Sequence, residues 1–181
     1  IEPSGPFTAC PWMIGLTAPL QPLMNLLDER LRESGYIRMD ETPVQVIHSD
    51  KARGAEHWMW ARVAGPPRQR IILFDYDPSR WGATAERLLD GARGYLQSDG
   101  YAAYDGVAAR LGLVHVGCFA HARRKGFEAI KALPKGAAAN TPAHEFVRRI
   151  DTLYAIEREV KALDADDRTR VRRERARPLL E

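Results

Sequence analysis

Apolar and polar residues follow two different periods along this chain. Leucines at three- and four-residue spacing mark one face of a helix, and they are Leu20, Leu23, Leu27 and Leu31. Pro19 opens that segment and Gly35 closes it, while the residues before Pro19 are punctuated by Pro and Gly. Three stretches rich in β-branched and aromatic residues come next, over residues 36–47, 58–63 and 70–76. The pattern predicts an irregular start, one amphipathic helix, and three strands that form an antiparallel meander.

Helix and strand patterns then alternate in the second half of the chain. Helices are predicted over residues 79–89 and 102–111, and strands over residues 95–98 and 113–117. After Cys118 the pattern is helical, with breaks at residues 134–142 and near Asp164. The predicted architecture is α/β with the order βββαβαβ, followed by further helices.

This order of elements resembles the RNase H-like fold, in which helices flank a mixed five-stranded sheet. That fold places one carboxylate on the first strand and a second just after the fourth strand, side by side in the sheet. Asp40 and Asp99 occupy these two positions. Carboxylate oxygens are the ligands that Mg²⁺ prefers, and paired ions stabilise the attacking and leaving oxygens of a phosphoryl displacement. The two aspartates therefore predict a magnesium site.

Composition describes a soluble domain in a reducing compartment. The 181 residues are 45% hydrophobic and 28% charged, which allows one domain with a substantial core. No apolar run approaches the roughly 18 to 20 residues of a membrane span, and no secretory signal opens the chain. The two cysteines, Cys10 and Cys118, are too few for a disulfide scaffold. We therefore expect a cytoplasmic protein without membrane association and, because the chain begins at Ile1, a piece of something longer.

The net charge of +3 permits nucleic acid as a partner, and the distribution of charge says more. Residues 122–135 hold five basic side chains and one acid, Glu128. This cluster predicts either a phosphate-binding patch or a solvated helix face. The arginine-rich residues 168–177 follow three aspartates, in the order that complements a helix dipole. We interpret that run as a solvated helix rather than a DNA-binding arm.

Four stretches of the sequence resemble the insertion sequence 66 transposases of bacteria. They are YIRMDETPVQV at residues 36–46, LLDGARGYLQSDGYAAY at residues 88–104, CFAHARRKGFEA at residues 118–129 and IDTLYAIERE at residues 150–159. The resemblance implies a DDE transposase with an RNase H-like catalytic domain, which cleaves and transfers DNA strands by a two-metal mechanism. It makes Asp40 and Asp99 the first two catalytic, metal-binding acids. The fold argument and the resemblance thus point to the same pair.

The resemblance also implies what the site works with. The complete site would hold two Mg²⁺ or Mn²⁺ ions, the partners would be transposon ends and target DNA, and the active complex would be a homo-oligomer. The third acid of the family lies in a segment with Asp-Asn-Asn followed closely by Glu-Arg, and no such segment occurs in this sequence. We therefore expect the third acid beyond Glu181 and expect this chain alone to be inactive. Three glutamates could substitute for it, without support from the resemblance, and they are Glu128, Glu145 and Glu157.

Under the same resemblance the chain divides into three parts. Residues 1–35 form the irregular segment and lead-in helix, residues 36–133 the incomplete catalytic core, and residues 134–181 a helical insertion. The insertion would separate the last sheet strand from the helix that bears the missing glutamate.

A second group of reactive residues lies around Cys118. His115, Cys118 and His121 have the spacing H-x-x-C-x-x-H, but a structural zinc site needs four ligands and Cys10 is far away in sequence, so zinc is disfavoured. The resemblance instead gives Cys118 and His121 a role in positioning the active-site end of the last strand. Two alternatives stay open, which are a contact of His121 with DNA and a plain strand-end thiol followed by a helix-start histidine.

Three basic residues follow this motif directly, and they are Arg123, Arg124 and Lys125. In the predicted topology they lie close to the catalytic edge of the sheet, so they are candidates for holding the DNA backbone. A solvated helix face is the alternative interpretation.

Some residues close to the predicted site are left out of it. Glu41 adjoins Asp40 but should point to the opposite face of a regular strand. Arg80 also matches the family pattern, and no chemistry is predicted for it. The nearby tryptophans are interpreted as core or strand-face aromatics rather than base-stacking platforms, and they are Trp58, Trp60 and Trp81.

Two other classes of protein share these features. An RNase H-like nuclease or resolvase would use the same fold and metals but would cleave without joining, and the motifs argue against it. A non-catalytic DNA-binding or dimerising module derived from a transposase would need no third acid.

Overall fold

The structure, a computed structural model, describes residues 15–46, 56–66, 68–80, 82–134 and 140–181. The chain divides into two compact units, Ile1–Val116 and Gly117–Glu181. Residues 1–14 of the predicted irregular start, which include Cys10, lie outside the described residues. Trp81 and Lys135, the last residue of the basic cluster at residues 122–135, lie outside them as well. The predicted three-part division of the chain stays a prediction.

The first unit contains every element that the sequence pattern predicts for it. It begins with helix α1 (Thr17–Glu33) and strands β1 (Tyr36–Val44), β2 (His57–Ala64) and β3 (Ile71–Asp77). Helix α2 (Gly82–Leu89), strand β4 (Tyr95–Ser98), helix α3 (Ala103–Leu111) and strand β5 (Val114–Gly117) complete the order βββαβαβ. The bounds of β4 are those predicted.

The start of α2 is later than the sequence pattern predicts. Helix was expected from Ser79, whereas α2 begins at Gly82. The main-chain N–H of Ser79 instead donates to Oδ1 of Asp77 at 2.8 Å. An aspartate that holds its own chain two residues on makes a turn, and this turn replaces the first helical residues.

The five strands form one mixed sheet with the order β3-β2-β1-β4-β5. β1 pairs with β2 and β2 with β3 in antiparallel fashion, so the predicted meander is confirmed. β1 pairs with β4 in parallel. A parallel pair needs a crossover, and β3 with α2 supplies it. The predicted α/β class, with the RNase H-like mixed five-stranded sheet and flanking helices, is confirmed.

One face of this sheet is buried against the helices. Along β1 the residues Ile37, Met39 and Glu41 are buried, while the residues between them are not. Each helix of the first unit contributes a fully buried side chain to the same core, namely Leu31, Leu89 and Val107. Trp60 is 1% exposed in that core, as expected for a core aromatic. Burial of one large apolar side chain contributes about 1.5–3 kcal/mol, so this layer holds the unit together.

The opposite face of the sheet is exposed in the described part of the chain. On β3 the side chains of Ile72, Phe74 and Tyr76 are 50%, 66% and 49% exposed. Tyr95 on β4 is 50% exposed on the same face. Residues on this face are accessible from outside the unit.

Gly94 lies where the starts of three strands meet. Its φ of +86° is a conformation that favours glycine, and an added Cβ would lie 2.3 Å from the carbonyl oxygen of Gly35. The neighbouring N–H of Tyr95 donates to that oxygen at 2.9 Å, and the N–H of Val114 donates to the carbonyl of Gly94 at 2.8 Å. Only a residue without a side chain allows β1, β4 and β5 to start this close together.

Arg62 is a charged residue on the buried face of β2, with a side chain 4% exposed. Its Nη1 donates to Asp28 Oδ1 of α1 at 2.5 Å and to the Leu88 carbonyl of α2 at 2.8 Å. Its Nε donates to Asp75 Oδ2 of β3 at 3.0 Å. One guanidinium therefore ties two helices to two strands, and its buried charge is paired.

The second unit is helical after the end of β5, as predicted. Its main helices are α4 (Phe119–Lys131), α5 (Pro142–Glu159) and α6 (Ala165–Val171). Short 3₁₀ turns cover Val160–Ala162 and Arg177–Leu179, and Arg172–Ala176 is π-helical. α4 ends and α5 begins on either side of the predicted break at residues 134–142, of which residues 135–139 lie outside the described residues. The predicted break near Asp164 is present, and the Asp164 side chain caps α6 by accepting the N–H of Asp167 at 2.9 Å.

Helices α4 and α5 pack through a glycine. α5 buries an apolar stripe at helical spacing, and this stripe is Val147, Ile150, Leu153 and Ile156. Gly126 of α4 is so close to α5 that an added Cβ would lie 2.7 Å from Val147 Cγ2 and 3.0 Å from Phe146 Cδ1. The glycine of the CFAHARRKGFEA stretch therefore sets the distance between the two helices.

The arginine-rich end of the chain forms ion pairs along its own helices. Arg172 pairs with Glu157 at 2.6 Å and Arg175 with Glu159 at 2.7 Å, so two arginines connect this end back to α5. Arg170 pairs with Asp167 at 2.9 Å. These contacts agree with a solvated helix rather than a free basic arm. No helix in the described ranges is long and apolar enough to cross a membrane.

Candidate active site

The strand register places the two predicted acids side by side. The parallel pairs between β1 and β4 are Tyr36 with Tyr95, Ile37 with Leu96 and Arg38 with Gln97. Two more steps in the same register put Asp40 level with Asp99, directly after the last residue of β4. The structure therefore brings together two aspartates that are far apart in sequence.

Both aspartates also belong to the same face of the sheet. Their neighbours Met39 and Ser98 are each 2% exposed on the buried face, and successive side chains of a strand point to opposite faces. Asp40 is exposed and Asp99 is half-buried. Asp40 thus lies on the open face of β1, and Asp99 follows the end of the neighbouring strand.

Main-chain N–H groups orient each carboxylate. Oδ1 of Asp99 accepts the N–H of Tyr101 at 3.0 Å, and Oδ1 of Asp40 accepts the N–H of Glu41 at 3.1 Å. Both groups are hard oxygen donors of the kind that Mg²⁺ and Mn²⁺ prefer, so the pair fits a divalent cation chemically. Among the described residues no cluster of three or more His, Cys, Asp or Glu side chains has metal-binding geometry. A cation at this pair would need further oxygen ligands.

Glu41 is buried on the opposite face, as expected, and takes part in a polar network that the sequence did not reveal. Its side chain is 1% exposed, and its Oε1 accepts Nε of Arg80 at 2.8 Å and Nη2 at 2.7 Å. Its Oε2 accepts a short hydrogen bond from the hydroxyl of Tyr104. Burial and this hydrogen bond raise the pKa of Tyr104 well above its ordinary value, so the phenol remains the donor. The buried carboxylate therefore has partners on both oxygens.

Arg80 occupies the space between two aromatic rings. Its guanidinium carbon lies 4.7 Å from the ring centre of Trp58 and 4.3 Å from that of Tyr101. Burial opposes its charge, but the hydrogen bonds and the charge of Glu41 outweigh burial and raise the pKa of Arg80. The only sequence signal for this residue was its match to the family pattern, because its partners come from separate elements.

A second network lies behind Asp99. Ser98 Oγ is 2.7 Å from Nε2 of His115 and donates to the carbonyl of Asp99 at 3.1 Å. Nδ1 of His115 is 2.6 Å from Oδ1 of Asp105. The trio resembles a hydrolytic Ser-His-Asp arrangement, but Ser98 is 2% exposed, so its hydroxyl cannot reach a substrate. The network instead connects β4, β5 and α3 beneath the second acid.

Cys118 and His121 lie at the start of α4 in the second unit. Cys118 precedes the helix with an extended backbone, and both side chains are half-buried. Both ring nitrogens of His115, the third residue of the H-x-x-C-x-x-H motif, are engaged by Ser98 and Asp105. The predicted positioning role of Cys118 and His121, and the exclusion of zinc, stay predictions.

The predicted DNA-binding residues of α4 have acidic neighbours. Arg123 donates to Asp151 at 2.6 Å and lies 4.6 Å from the ring centre of Phe127. Lys125 pairs with Glu128 at 2.9 Å, and Arg124 lies 3.9 Å from the same carboxylate. Part of the positive charge of Arg123, Arg124 and Lys125 is therefore offset within the unit.

The three glutamates considered as substitutes for the third acid all have basic partners in the second unit. Glu128 contacts Lys125, Glu145 contacts Arg148 and Arg149, and Glu157 contacts Arg172. The hydrogen bonds from these partners hold the pKa of each carboxyl below its ordinary value. Each glutamate therefore has a local role as an ion-pair partner.

Comparison with known proteins gives matches over nearly the whole chain. A family model described as "Transposase IS66 family" matches residues 6–181. Two uncharacterized proteins of Sinorhizobium fredii (strain NBRC 101917 / NGR234), y4hP and y4qI, are each 28% identical, over 91% of this chain and 32% of their own length. The chain thus spans about a third of the length of the curated relatives that it matches.

Among solved structures, one similar chain comes from the cryoEM structure of a simian T-cell lymphotropic virus intasome in complex with PP2A regulatory subunit B56 gamma. The two chains are 14% identical with a TM-score of 0.35, over 76% of this chain and 46% of that one.

Proposed function

Because the chain belongs to the Transposase IS66 family, we propose that it forms the part of a DDE transposase that presents the first two catalytic acids, Asp40 and Asp99. The observation that supports this proposal is the parallel β1–β4 register, which, continued by two residues, aligns Asp40 with Asp99. The activity is proposed for the whole protein, since the chain covers about a third of its relatives. The third acid is proposed to come from outside residues 1–181.

The pair is proposed to hold divalent cations, Mg²⁺ or Mn²⁺, two in the complete site. Such ions, when bound, supply positive charge to the attacking and leaving oxygens of an in-line phosphoryl displacement. Asp40 and Asp99 serve as ligands, and their main-chain hydrogen bonds from Glu41 and Tyr101 keep the carboxylates from rotating. The open face of the sheet leaves room for the DNA backbone beside Asp40.

DNA is the proposed partner, as transposon end and as target. Arg123, Arg124 and Lys125 are proposed to bind its backbone, with His121 beside them, although Glu128 and Asp151 offset part of their charge. Binding through such a patch depends on salt, because each neutralised phosphate releases counterions. The proposed active species is a homo-oligomer in the cytoplasm.

A strand-transfer assay tests this proposal. The full-length protein is incubated with Mg²⁺ or Mn²⁺ and with linear DNA that carries the ends of its element. Asp40→Asn and Asp99→Asn should each reduce strand transfer by at least about 10²-fold, since a metal ligand matters at least as much as its outer-shell partners. Asp90→Asn, at an exposed position just after α2, is the matched control and should be unaffected.

Two results would contradict the proposal. Strand transfer retained in either acid variant would remove that acid from the site. Cleavage without any joining would favour an RNase H-like nuclease over a transposase.

A further inference from the structure

We propose that Arg80 is a positioning residue that holds Asp40 and Asp99 in register with each other. This inference rests on the proposed function, because it assumes that the two aspartates act as a pair. Arg80 lies between β3 and α2, away from both strands that bear the acids. Its contacts nevertheless reach Glu41, which follows Asp40 directly, and Tyr101, which lies two residues after Asp99.

The contact with the first acid goes through Glu41. Arg80 donates from Nε and Nη2 to the same oxygen of Glu41, at 2.8 Å and 2.7 Å, in a planar fork. Glu41 follows Asp40 directly in β1, and its N–H donates to Asp40 Oδ1. Because the other oxygen of Glu41 is held by Tyr104, this carboxylate cannot rotate. The backbone beside Asp40 is thereby fixed.

The contact with the second acid goes through Tyr101. The guanidinium of Arg80 lies 4.3 Å from the ring centre of Tyr101, with Trp58 on another side at 4.7 Å. Tyr101 is the residue whose N–H donates to Asp99 Oδ1. The charge of Arg80 also acts on Asp99, and it is permanent, since the pKa of Arg80 is raised. One planar cation therefore contacts the two residues that orient the two acids.

Only arginine combines these two contacts. A lysine keeps the charge but lacks the flat surface that packs against two rings and the fork that donates two hydrogen bonds at once. A purely structural role predicts that metal affinity falls only in variants that also lose their fold. A positioning role predicts weaker metal binding even in variants that remain folded.

The test is a titration of the 181-residue chain with Mn²⁺ alone, followed by the electron paramagnetic resonance signal of the free ion. Arg80→Lys should weaken Mn²⁺ binding by about 10-fold, the lower end of the range for outer-shell partners of a metal site. Arg87→Lys is the matched control, because Arg87 is an ion-paired arginine of the same unit that contacts Asp77 at 3.1 Å, and it should bind Mn²⁺ like the parent.

A second variant separates weaker metal binding from loss of the fold. In Glu41→Gln/Arg80→Gln both charges are removed together, so no unpaired carboxylate stays buried. This double variant should keep the circular dichroism spectrum of the parent and still lose about 10-fold in Mn²⁺ affinity. Tyr101→Leu keeps the N–H that holds Asp99, and its effect should be less than additive with that of Arg80→Lys.

The results separate this inference from the proposed function. If Asp40→Asn and Asp99→Asn abolish Mn²⁺ binding while the folded Arg80 variants stay within twofold of the parent, the positioning role is overturned and the acid pair stands. If the aspartate variants leave Mn²⁺ binding unchanged, the proposed metal site fails, and the role of Arg80 fails with it.

Discussion

Replacing Arg62 by alanine should destabilise the first unit strongly. The change removes a guanidinium that is 4% exposed and leaves the Leu88 carbonyl without its donor. A buried orphan acceptor costs about 1–3 kcal/mol, and breaking a fully buried ion pair costs about 3–5 kcal/mol. Asp28 and Asp75 are 26% and 28% exposed, and Asp28 keeps Arg32 at 2.6 Å, so solvent and that neighbour reduce the penalty. We expect a loss of about 3 kcal/mol.

Tryptophan fluorescence during urea unfolding measures this loss in the right unit. All four tryptophans precede residue 117, so their signal reports the first unit alone. With a slope of about 2 kcal/mol per molar urea, the midpoint should fall by about 1.5 M. Arg87→Ala breaks an exposed pair and is the control, with an expected cost of no more than about 1 kcal/mol.

A double variant tests the physical cause. Arg62→Met/Asp75→Asn removes the charge on both sides, so it should recover at least half of the stability that Arg62→Met alone loses. The reasoning is refuted if Arg62→Ala shifts the midpoint no further than Arg87→Ala. It is also refuted if removal of the second charge makes the protein less stable.

Three further predictions concern the helices. Gly126→Ala should destabilise the second unit by about 1–3 kcal/mol, because its Cβ would overlap Val147, and faster hydrogen exchange in α5 would show it. In α3, the Cβ of Gly106→Ala would meet only the flexible end of Arg110, at 3.4 Å. This change should therefore stabilise the first unit by about 0.5–1 kcal/mol, as measured by urea unfolding. Equal effects of the two glycine changes would contradict this reasoning. The hydrogen bond from Arg172 lowers the pKa of Glu157 below its ordinary value of 4.5. The pair therefore stabilises the second unit at pH values above 4.5, and this contribution is lost as the pH falls through the lowered pKa. Glu157→Gln should flatten the pH dependence of α5 hydrogen exchange in that acid range, and an unchanged profile would refute the assignment.

The sequence predicted the parts of this structure that depend on local pattern. Strand β4 was predicted to the residue, because Tyr95–Ser98 lies between Gly94 and the turn signal Asp99-Gly100. The adjacency of β1, which bears Asp40, and β4, which precedes Asp99, could also be predicted, since the fold class determines which strands are neighbours. The late start of α2 could not be predicted, because the turn before it depends on the hydrogen bond from the N–H of Ser79 to Asp77.

The polar networks could not be predicted from sequence. Arg80, Glu41 and Tyr104 come from a loop, a strand and a helix, and no spacing along the chain connects them. The contacts of Arg62 were equally unpredictable. Alternation along β2 places Arg62 on the buried face, but it does not identify the carboxylates that pair with it. Such contacts appear only when the tertiary arrangement is known.

Gly94 has a consequence for how this family is recognised. The LLDGARGYLQSDGYAAY stretch contains a single proposed catalytic residue, Asp99, whereas its Gly94 lets three strands start close together and its last tyrosine holds Glu41. At least these two positions of the signature are thus required by the fold rather than by the chemistry. A degenerate copy that had lost its aspartate would still have to keep them in order to fold. A match to this signature is therefore evidence of common architecture, and the state of the carboxylates must be checked separately before any copy is counted as an active element.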